Sequence, residues 1–282
     1  MTTGEIRIDA LLPPEMAQRA EYLGVRKAEA PRLATFTLAI LAGAFISLGA
    51  VFATTVAAGA SGVVPYGIVR LLAGLVFSVG LVLVIVGGAE LFTGNNLIVM
   101  AWAGRKVSSI GLLRNWVIVY AGNFIGAIGT AVLVFLSRQY TFGGGSVGTV
   151  ALGTAAAKVE YGFIQAVALG VLCNALVCLA VWLTYSARST IDKIAAIILP
   201  IAAFVAAGFE HSIANMYFIP IGLLIKDLDP AFTAASGVDV TRLTWDSFLV
   251  ANLLPVTLGN IIGGAVLVAA VYWFVFLHRS QR

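Results

Sequence analysis

The strongest constraint on this chain is an eight-residue phrase that occurs twice, each time inside a long apolar run. Gly88-Ala89-Glu90-Leu91-Phe92-Thr93-Gly94-Asn95 returns as Gly208-Phe209-Glu210-His211-Ser212-Ile213-Ala214-Asn215. Each copy interrupts the run with a carboxylate, small residues and an amide. In lipid, such groups and irregular backbone cost several kcal/mol unless they face protein or a water-lined cavity. Two interruptions at matching places therefore point to a path through a membrane.

Composition agrees. Of 282 residues, 60% are hydrophobic and 11% charged, and mean hydropathy is +1.00. A water-soluble domain so composed would expose too much apolar surface, so the class is integral membrane protein and the partner is the lipid bilayer. Net charge is +4 and the pI about 9.2. No basic run is interleaved with aromatics, so nucleic acid is not an expected partner. Six stretches reach the ~20 apolar residues of a helical span: 33–55, 67–102, 112–136, 163–185, 194–224 and 248–277. The second and fifth exceed one crossing, and they carry the repeated phrase. Segments between spans are short, apart from 1–31, 138–158 and 226–247. The alternating pattern of an outer-membrane barrel is absent.

Lysine and arginine counts set the expected orientation. With both termini in the cytoplasm, Arg7, Arg19, Arg26, Lys27, Arg32, Arg105, Lys106, Arg114, Arg188, Lys193, Arg279 and Arg282 lie inside. Arg70, Arg138, Lys158, Lys226 and Arg242 lie outside, a bias of twelve against five. The first thirty residues are polar and lack an apolar signal core, so no cleaved leader is expected. Cys173 and Cys178 fall on one predicted helix with no Cys-x-x-Cys, which reads as buried packing and neither a disulfide nor a thiolate metal site.

The duplication extends beyond the phrase. Asn115, Gly122, Asn123, Ile125 and Gly126 match Asn252, Gly259, Asn260, Ile262 and Gly263 at the same spacing. More loosely, Gly43 and Ser47 stand opposite Gly170 and Asn174. Each unit holds three spans, and an odd number of crossings inverts the second unit relative to the first. The expected fold is an all-α integral membrane protein: six transmembrane helices as an inverted 3+3 repeat, with the second and fifth broken. The expected organisation is a cytoplasmic segment at 1–31 with a short amphipathic helix, a membrane domain at 32–278 with repeats near 32–137 and 158–278, and a cytoplasmic tail at 279–282. The amphipathic helix is read over 13–30 with Met16, Ala20, Leu23 and Val25 apolar; a gate and a plain surface helix are both open for it. Gly122-x-x-x-Gly126 and Gly259-x-x-x-Gly263 let helix backbones approach closely. Asn123 and Asn260 beside them are expected to bond across helices to the broken segments.

At a helix break, backbone N–H and C=O groups lose their intrahelical partners. Glu90 and Glu210, with Asn95 and Asn215, are expected to be structural there, the carboxylates capping the helix that follows. Proton relay and metal ligation are the open alternatives for the two glutamates. His211 has no counterpart, since Leu91 follows Glu90. An imidazole at a break offers a donor and an acceptor and titrates near neutrality, so it can bond an anion or exchange a proton. Thr93, Gly94, Ser212 and Ala214 keep the region small. Lys158 reads as either a snorkelling anchor or an anion attractor, Asn174 as either substrate contact or helix glue. Phe77, Leu81, Phe92 and Phe204 lie within a few turns of the breaks, where apolar constrictions can exclude hydrated ions.

Four stretches carry a resemblance to a known family. They are Glu90-Leu91-Phe92-Thr93-Gly94-Asn95, Asn174-x-x-Val177-Cys178-Leu179-Ala180-Val181-Trp182, Gly208 to Met216, and Pro255-Val256-Thr257-Leu258-Gly259-Asn260. The chain resembles the formate/nitrite transporter family, most of all its formate channels, from Leu11-Leu12-Pro13-Pro14 to the sixth span. The resemblance implies an aquaporin-like protomer in a homopentamer of a bacterial inner membrane, each protomer with its own pore. It implies His211 and Thr93 at the pore centre, Asn174 and Lys158 shaping and polarising the outer approach, and two slits formed by Phe77, Leu81, Phe92 and Phe204. No cofactor and no metal are implied. Thr93-Gly94-Asn95 is similar also to the nitrite branch, so nitrite and hydrosulfide stay open beside formate, as does lactate.

The expected activity is passage of a small monovalent anion or its conjugate acid, formate first, with pH dependence from a proton exchanged at His211. On that reading His211→Asn removes the pH dependence. An intramembrane enzyme would need His-Glu-x-x-His, Gly-x-Ser-x-Gly or paired aspartates, none of which occurs. A water or glycerol channel would need paired Asn-Pro-Ala motifs, also missing.

Overall fold

The computed structural model describes residues 11–278; residues 1–10, with Arg7, and the tail 279–282, with Arg279 and Arg282, lie outside it. The described residues contain helix and no strand. The first half runs α1 (Pro13–Glu29), α2 (Arg32–Ala57), α3 (Tyr66–Gly87), the short α4 (Phe92–Asn95) and α5 (Val99–Ala103), and α6 (Ser109–Leu136). The second runs α7 (Ser146–Lys158), α8 (Phe163–Thr184), α9 (Thr190–Ala207), α10 (Ser212–Leu228), α11 (Pro230–Ser236) and α12 (Ser247–Phe276). Helices α2, α3, α6, α8, α9 and α12 have mean hydropathy of 1.9 to 2.6 and the length to cross a bilayer. They are the six expected spans, and the second and fifth are broken at the repeated phrase.

Both breaks are built alike. α3 ends in Gly88 at φ 78° and ψ 28°, and α9 ends in Gly208 at φ 77° and ψ 25°. That left-handed conformation is open to glycine at little cost. Ala89 N–H then donates back to Val84 O, and Phe209 N–H to Phe204 O. Leu91 and His211 are extended, with φ of −110° and −109°, before helix resumes.

Hydrogen bonds fix how the halves overlay. Asn123 Nδ2 donates to Ala39 O and Asn260 Nδ2 to Gly170 O, both at 2.8 Å. Glu90 N–H meets Leu38 O, and Glu210 N–H meets Leu169 O. Ala39 is therefore the counterpart of Gly170, and Gly43 that of Asn174. The sequence alignment of Gly43 with Gly170 and Ser47 with Asn174 is one helical turn out. Small residues recur every four positions along these helices, so a slip of one turn leaves the pattern intact.

The link 138–158 is not plain loop either. It ends in α7, whose Ala155 and Ala151 lie against Gly222 of α10. An alanine- and glycine-rich helix is short of large apolar residues, so a count of them passes over it. Its counterpart is α1, where Met16, Ala17, Ala20 and Gly24 are buried while Leu23 and Val25 are half-buried. The structural repeat thus starts with α1 and α7, wider than units drawn from spans alone.

Packing between α2 and α6, and between α8 and α12, brings backbones into contact at the spaced glycines. A Cβ on Gly126 would lie 1.9 Å from Ile40 O, and one on Gly263 would lie 2.2 Å from Val171 O. Those neighbours are backbone and cannot swing aside. Gly126→Ala or Gly263→Ala is expected to cost at least the ~1–3 kcal/mol of overpacking. The check is the melting temperature of the purified assembly; an unchanged value would mean the helices sit farther apart.

Candidate functional site

Each break is held by the same five polar side chains. At the first, Glu90 Oε1 accepts from Lys27 Nζ and Oε2 from Asn95 Nδ2, both at 2.7 Å. Asn95 Nδ2 also donates to Asn115 Oδ1 at 3.0 Å, and Asn115 Nδ2 to the Lys27 carbonyl at 3.0 Å. At the second, Glu210 accepts from Lys158 and Asn215 at the same 2.7 Å. Asn215 donates to Asn252 Oδ1 at 2.8 Å, and Asn252 Nδ2 to the Lys158 carbonyl at 2.7 Å. The fifth member is Asn123 or Asn260. Asn123 Oδ1 accepts Phe92 N–H and its Nδ2 reaches the Ala39 and Glu90 carbonyls. Asn260 Oδ1 accepts Ser212 N–H and its Nδ2 reaches those of Gly170 and Glu210.

The helix ends are therefore capped by Asn123 and Asn260, not by Glu90 and Glu210 as expected. An amide can accept from one backbone group and donate to two more, whereas a carboxylate only accepts. The glutamates instead anchor lysines. Lys158 is no snorkelling anchor: its side chain is 13% exposed and that of Glu210 2%, against 32% and 15% for Lys27 and Glu90. Such a pair adds little net stability, but losing one partner strands a charge. Among the described residues, no group of three or more His, Cys, Asp or Glu is placed to hold a metal ion.

The two copies differ where they meet. Thr93 Oγ1 lies 2.9 Å from His211 Nε2, joining one break to the other. His211 Nδ1 accepts the Ala214 N–H at 3.0 Å, so the neutral ring carries its proton on Nε2 and donates it to Thr93. Asn174 Nδ2 reaches Asn260 O at 2.6 Å, Asn96 Oδ1 at 3.1 Å and Thr93 O at 3.3 Å. The Cys178 thiol also donates to Thr93 O. Asn174 and Thr93 are fully buried and line none of the cavities along the breaks. Of the two readings open for Asn174, its geometry is that of a brace between helices.

Three cavities stand in line. One vestibule, ≈ 400 Å³, is bordered by Lys158, Arg70, Tyr161 and Glu210. Another, ≈ 250 Å³, is bordered by Lys27, Arg19, Lys193 and Glu90. Between them lies a chamber of ≈ 10 Å³, room for about one water. Phe77, Phe204 and His211 line both the Lys158 vestibule and the chamber, and so partition them. Leu81 and Leu91 do the same towards the Lys27 vestibule. Phe77 and Phe204 meet edge to face with centroids 5.7 Å apart, and Phe204 stacks on His211 at 5.9 Å.

Phe92, expected at a constriction, lines none of these spaces. It packs on Trp116 and Tyr120, at 5.9 and 4.9 Å between ring centroids, and Leu91 takes its place. The chain is extended at Leu91 and helical at Phe92, so the two side chains point different ways and helical periodicity does not carry across the break. Lys27 and Arg70 also escape a reading of the sequence. A signal for Lys27 exists: it precedes Leu38 by eleven positions, as Lys158 precedes Leu169. Arg70 has none, because the same offset that pairs Gly88 with Gly208 pairs it with Thr190.

Comparison with known proteins places this geometry in context. A protein-family model described as formate/nitrite transporter matches residues 14–274. The chain is 48% identical over 278 residues to the formate channel FocA of Escherichia coli (strain K12), covering 97% of each. It is 41% identical over 261 residues to the formate channel FocA of Haemophilus influenzae, covering 91% of this chain and 92% of that one. Among solved structures, a pentameric formate channel with formate bound overlays with a TM-score of 0.81 at 46% identity, covering 87% of this chain and 98% of that chain.

Proposed function

This chain belongs to the formate/nitrite transporter family, and on that premise we propose that it is a formate channel with one pore through each protomer. It is a multi-pass protein of the bacterial inner membrane, assembles as a homopentamer, and passes formate ahead of nitrite or hydrosulfide. The observation that carries the reading is the row of three cavities along the two breaks, with an ionisable ring at the central partition. The lysine and arginine bias supports a cytoplasmic location for both termini, with the Lys158 vestibule outward and the Lys27 vestibule inward. α1 walls the inward vestibule through Arg19, Leu23 and Lys27, the position a gate would occupy.

Passage follows from the lining. Arg70 and Lys158 against Glu210 leave the outer vestibule positive, which raises the local concentration of an anion. The aromatic partition strips water from the solute. Desolvation favours the neutral acid over the anion, so formate crosses the apolar slits most easily as formic acid. At the partition, His211 Nε2–H can turn from Thr93 to a carboxylate oxygen and replace part of the lost hydration. A chamber with room for about one water is tight even for a one-carbon acid, so solutes pass singly and only as the apolar side chains around it give way, and an ion that keeps its shell is rejected. The site is a passage and not a reaction centre.

Flux into proteoliposomes carrying the purified protein tests this directly, with formate, nitrite, hydrosulfide and chloride compared. Formate is expected to be fastest and chloride slower by about tenfold or more. Faster nitrite or hydrosulfide would reassign the substrate, and chloride moving as fast as formate would refute the apolar slits.

A further inference from the structure

The break in the fifth span has an electrostatic cost for any anion using it. α9 ends at Ala207 facing the outer vestibule, where Val205, Gly208, Phe209 and Glu210 all form part of the wall. The last carbonyls of a helix lack their usual partners four residues on; here Gly208 N–H and Phe209 N–H turn back onto Val205 O and Phe204 O, and the end still carries a partial negative charge, roughly half a unit. An anion drawn in by Lys158 therefore meets a negative helix end beside the Phe204 partition. Arg70 stands there. From the first turns of α3, its Nη2 donates to Val205 O in a close contact and its Nε to Ala206 O at 3.3 Å.

Arg70 also ties together the two walls of the slit. Along one face of α3 follow Arg70, Gly74, Phe77 and Leu81. A Cβ on Gly74 would lie 2.6 Å from Ala202 O of α9, and Ser78 Oγ reaches Ile198 O at 3.3 Å. Phe77 and Phe204 face each other within this contact. A planar guanidinium spans two successive carbonyls in fixed geometry, which an ammonium cannot do.

We infer that Arg70 is a charge-compensating and positioning residue of the outer mouth, cancelling the negative end of α9 and fixing Phe204 opposite Phe77. The inference rests on the cavities being a formate path. The two-carbonyl clamp is described at one mouth: Thr190, at the position that corresponds to Arg70, carries no charge, and Lys193, three positions on, is the α9 cation that borders the inner vestibule.

The test is formate uptake by reconstituted pentamer as a function of formate concentration, at low and high salt. Arg70→Met is expected to raise the half-saturating concentration about fivefold at low salt, and less at high salt, because salt screens the charge. Arg70→Lys restores half-saturation to within about twofold but weakens chloride exclusion, because one ammonium neutralises the helix end without clamping it. Should Arg70→Met fail to assemble, Arg70→Gln against Arg70→Lys makes the same comparison. Equal half-saturation in the charged and neutral variants, at low salt, would overturn the inference. Absence of formate uptake by the unmodified protein would instead overturn the functional reading.

Discussion

His211→Asn is expected to lower formate flux by about ten- to a hundredfold at every pH while leaving the pentamer and the second break intact. Asparagine is a good helix N-cap, so its Oδ1 can take over the Ala214 N–H that Nδ1 now accepts. It cannot also span to Thr93. What disappears is the Nε2–H donor at the aromatic partition, which leaves an oxygen of the desolvated solute unpaired, and a buried polar group without a partner costs about 1–3 kcal/mol. The geometry also changes the role expected of this residue. To hand a proton to formate, the ring must first be protonated at Nδ1, and an Nδ1–H would oppose the Ala214 N–H and undo the cap. The structure thus favours a donor over an acid, and the pH dependence belongs to formate itself, whose neutral form crosses the slits. Flux profiles across pH decide the matter. An even drop with an unchanged profile supports the donor, and a profile that flattens in the variant would restore the proton-exchange role to His211.

Asn260→Ala should be the most damaging substitution outside the lane. Its side chain is fully buried and serves three backbone groups: Ser212 N–H and the carbonyls of Gly170 and Glu210. Each group left unpaired away from water costs about 1–3 kcal/mol, so the sum is a large part of the 5–15 kcal/mol that holds a typical domain. Little or no assembled pentamer is expected, or a steep fall in its melting temperature. Asn123→Ala should act alike at the first break, where the same three bonds recur. Retained assembly with parental melting in both variants would show that the amides are not what holds the breaks open.

The sequence reveals most about the breaks and least about what faces them. Glycine, carboxylate and amide inside an apolar run have no lipid-compatible explanation except irregular backbone, so both interruptions and their inversion are legible. Spans are legible because they are long and apolar. α7 is not, being rich in alanine and glycine, and without it Lys158 looks like a solitary anchor. Its real partner, Glu210, is 52 positions away, as Lys27 is 63 from Glu90. No local pattern links residues so far apart. Side-chain direction across a break is hidden for a different reason. Leu91 and Phe92 are adjacent apolar residues, and only the extended backbone at Leu91 turns it into the lane and Phe92 towards Tyr120. The same limit applies to Arg70, whose partners are main-chain carbonyls of another helix.

A crystal structure of the protein soaked with formate would probe the proposed route most directly. One formate should lie in the chamber walled by Phe77, Phe204, Leu81 and Leu91, with an oxygen about 2.7–3.2 Å from His211 Nε2. Formate found only between protomers, with that chamber closed and His211 still bonded to Thr93, would contradict a pore through each subunit.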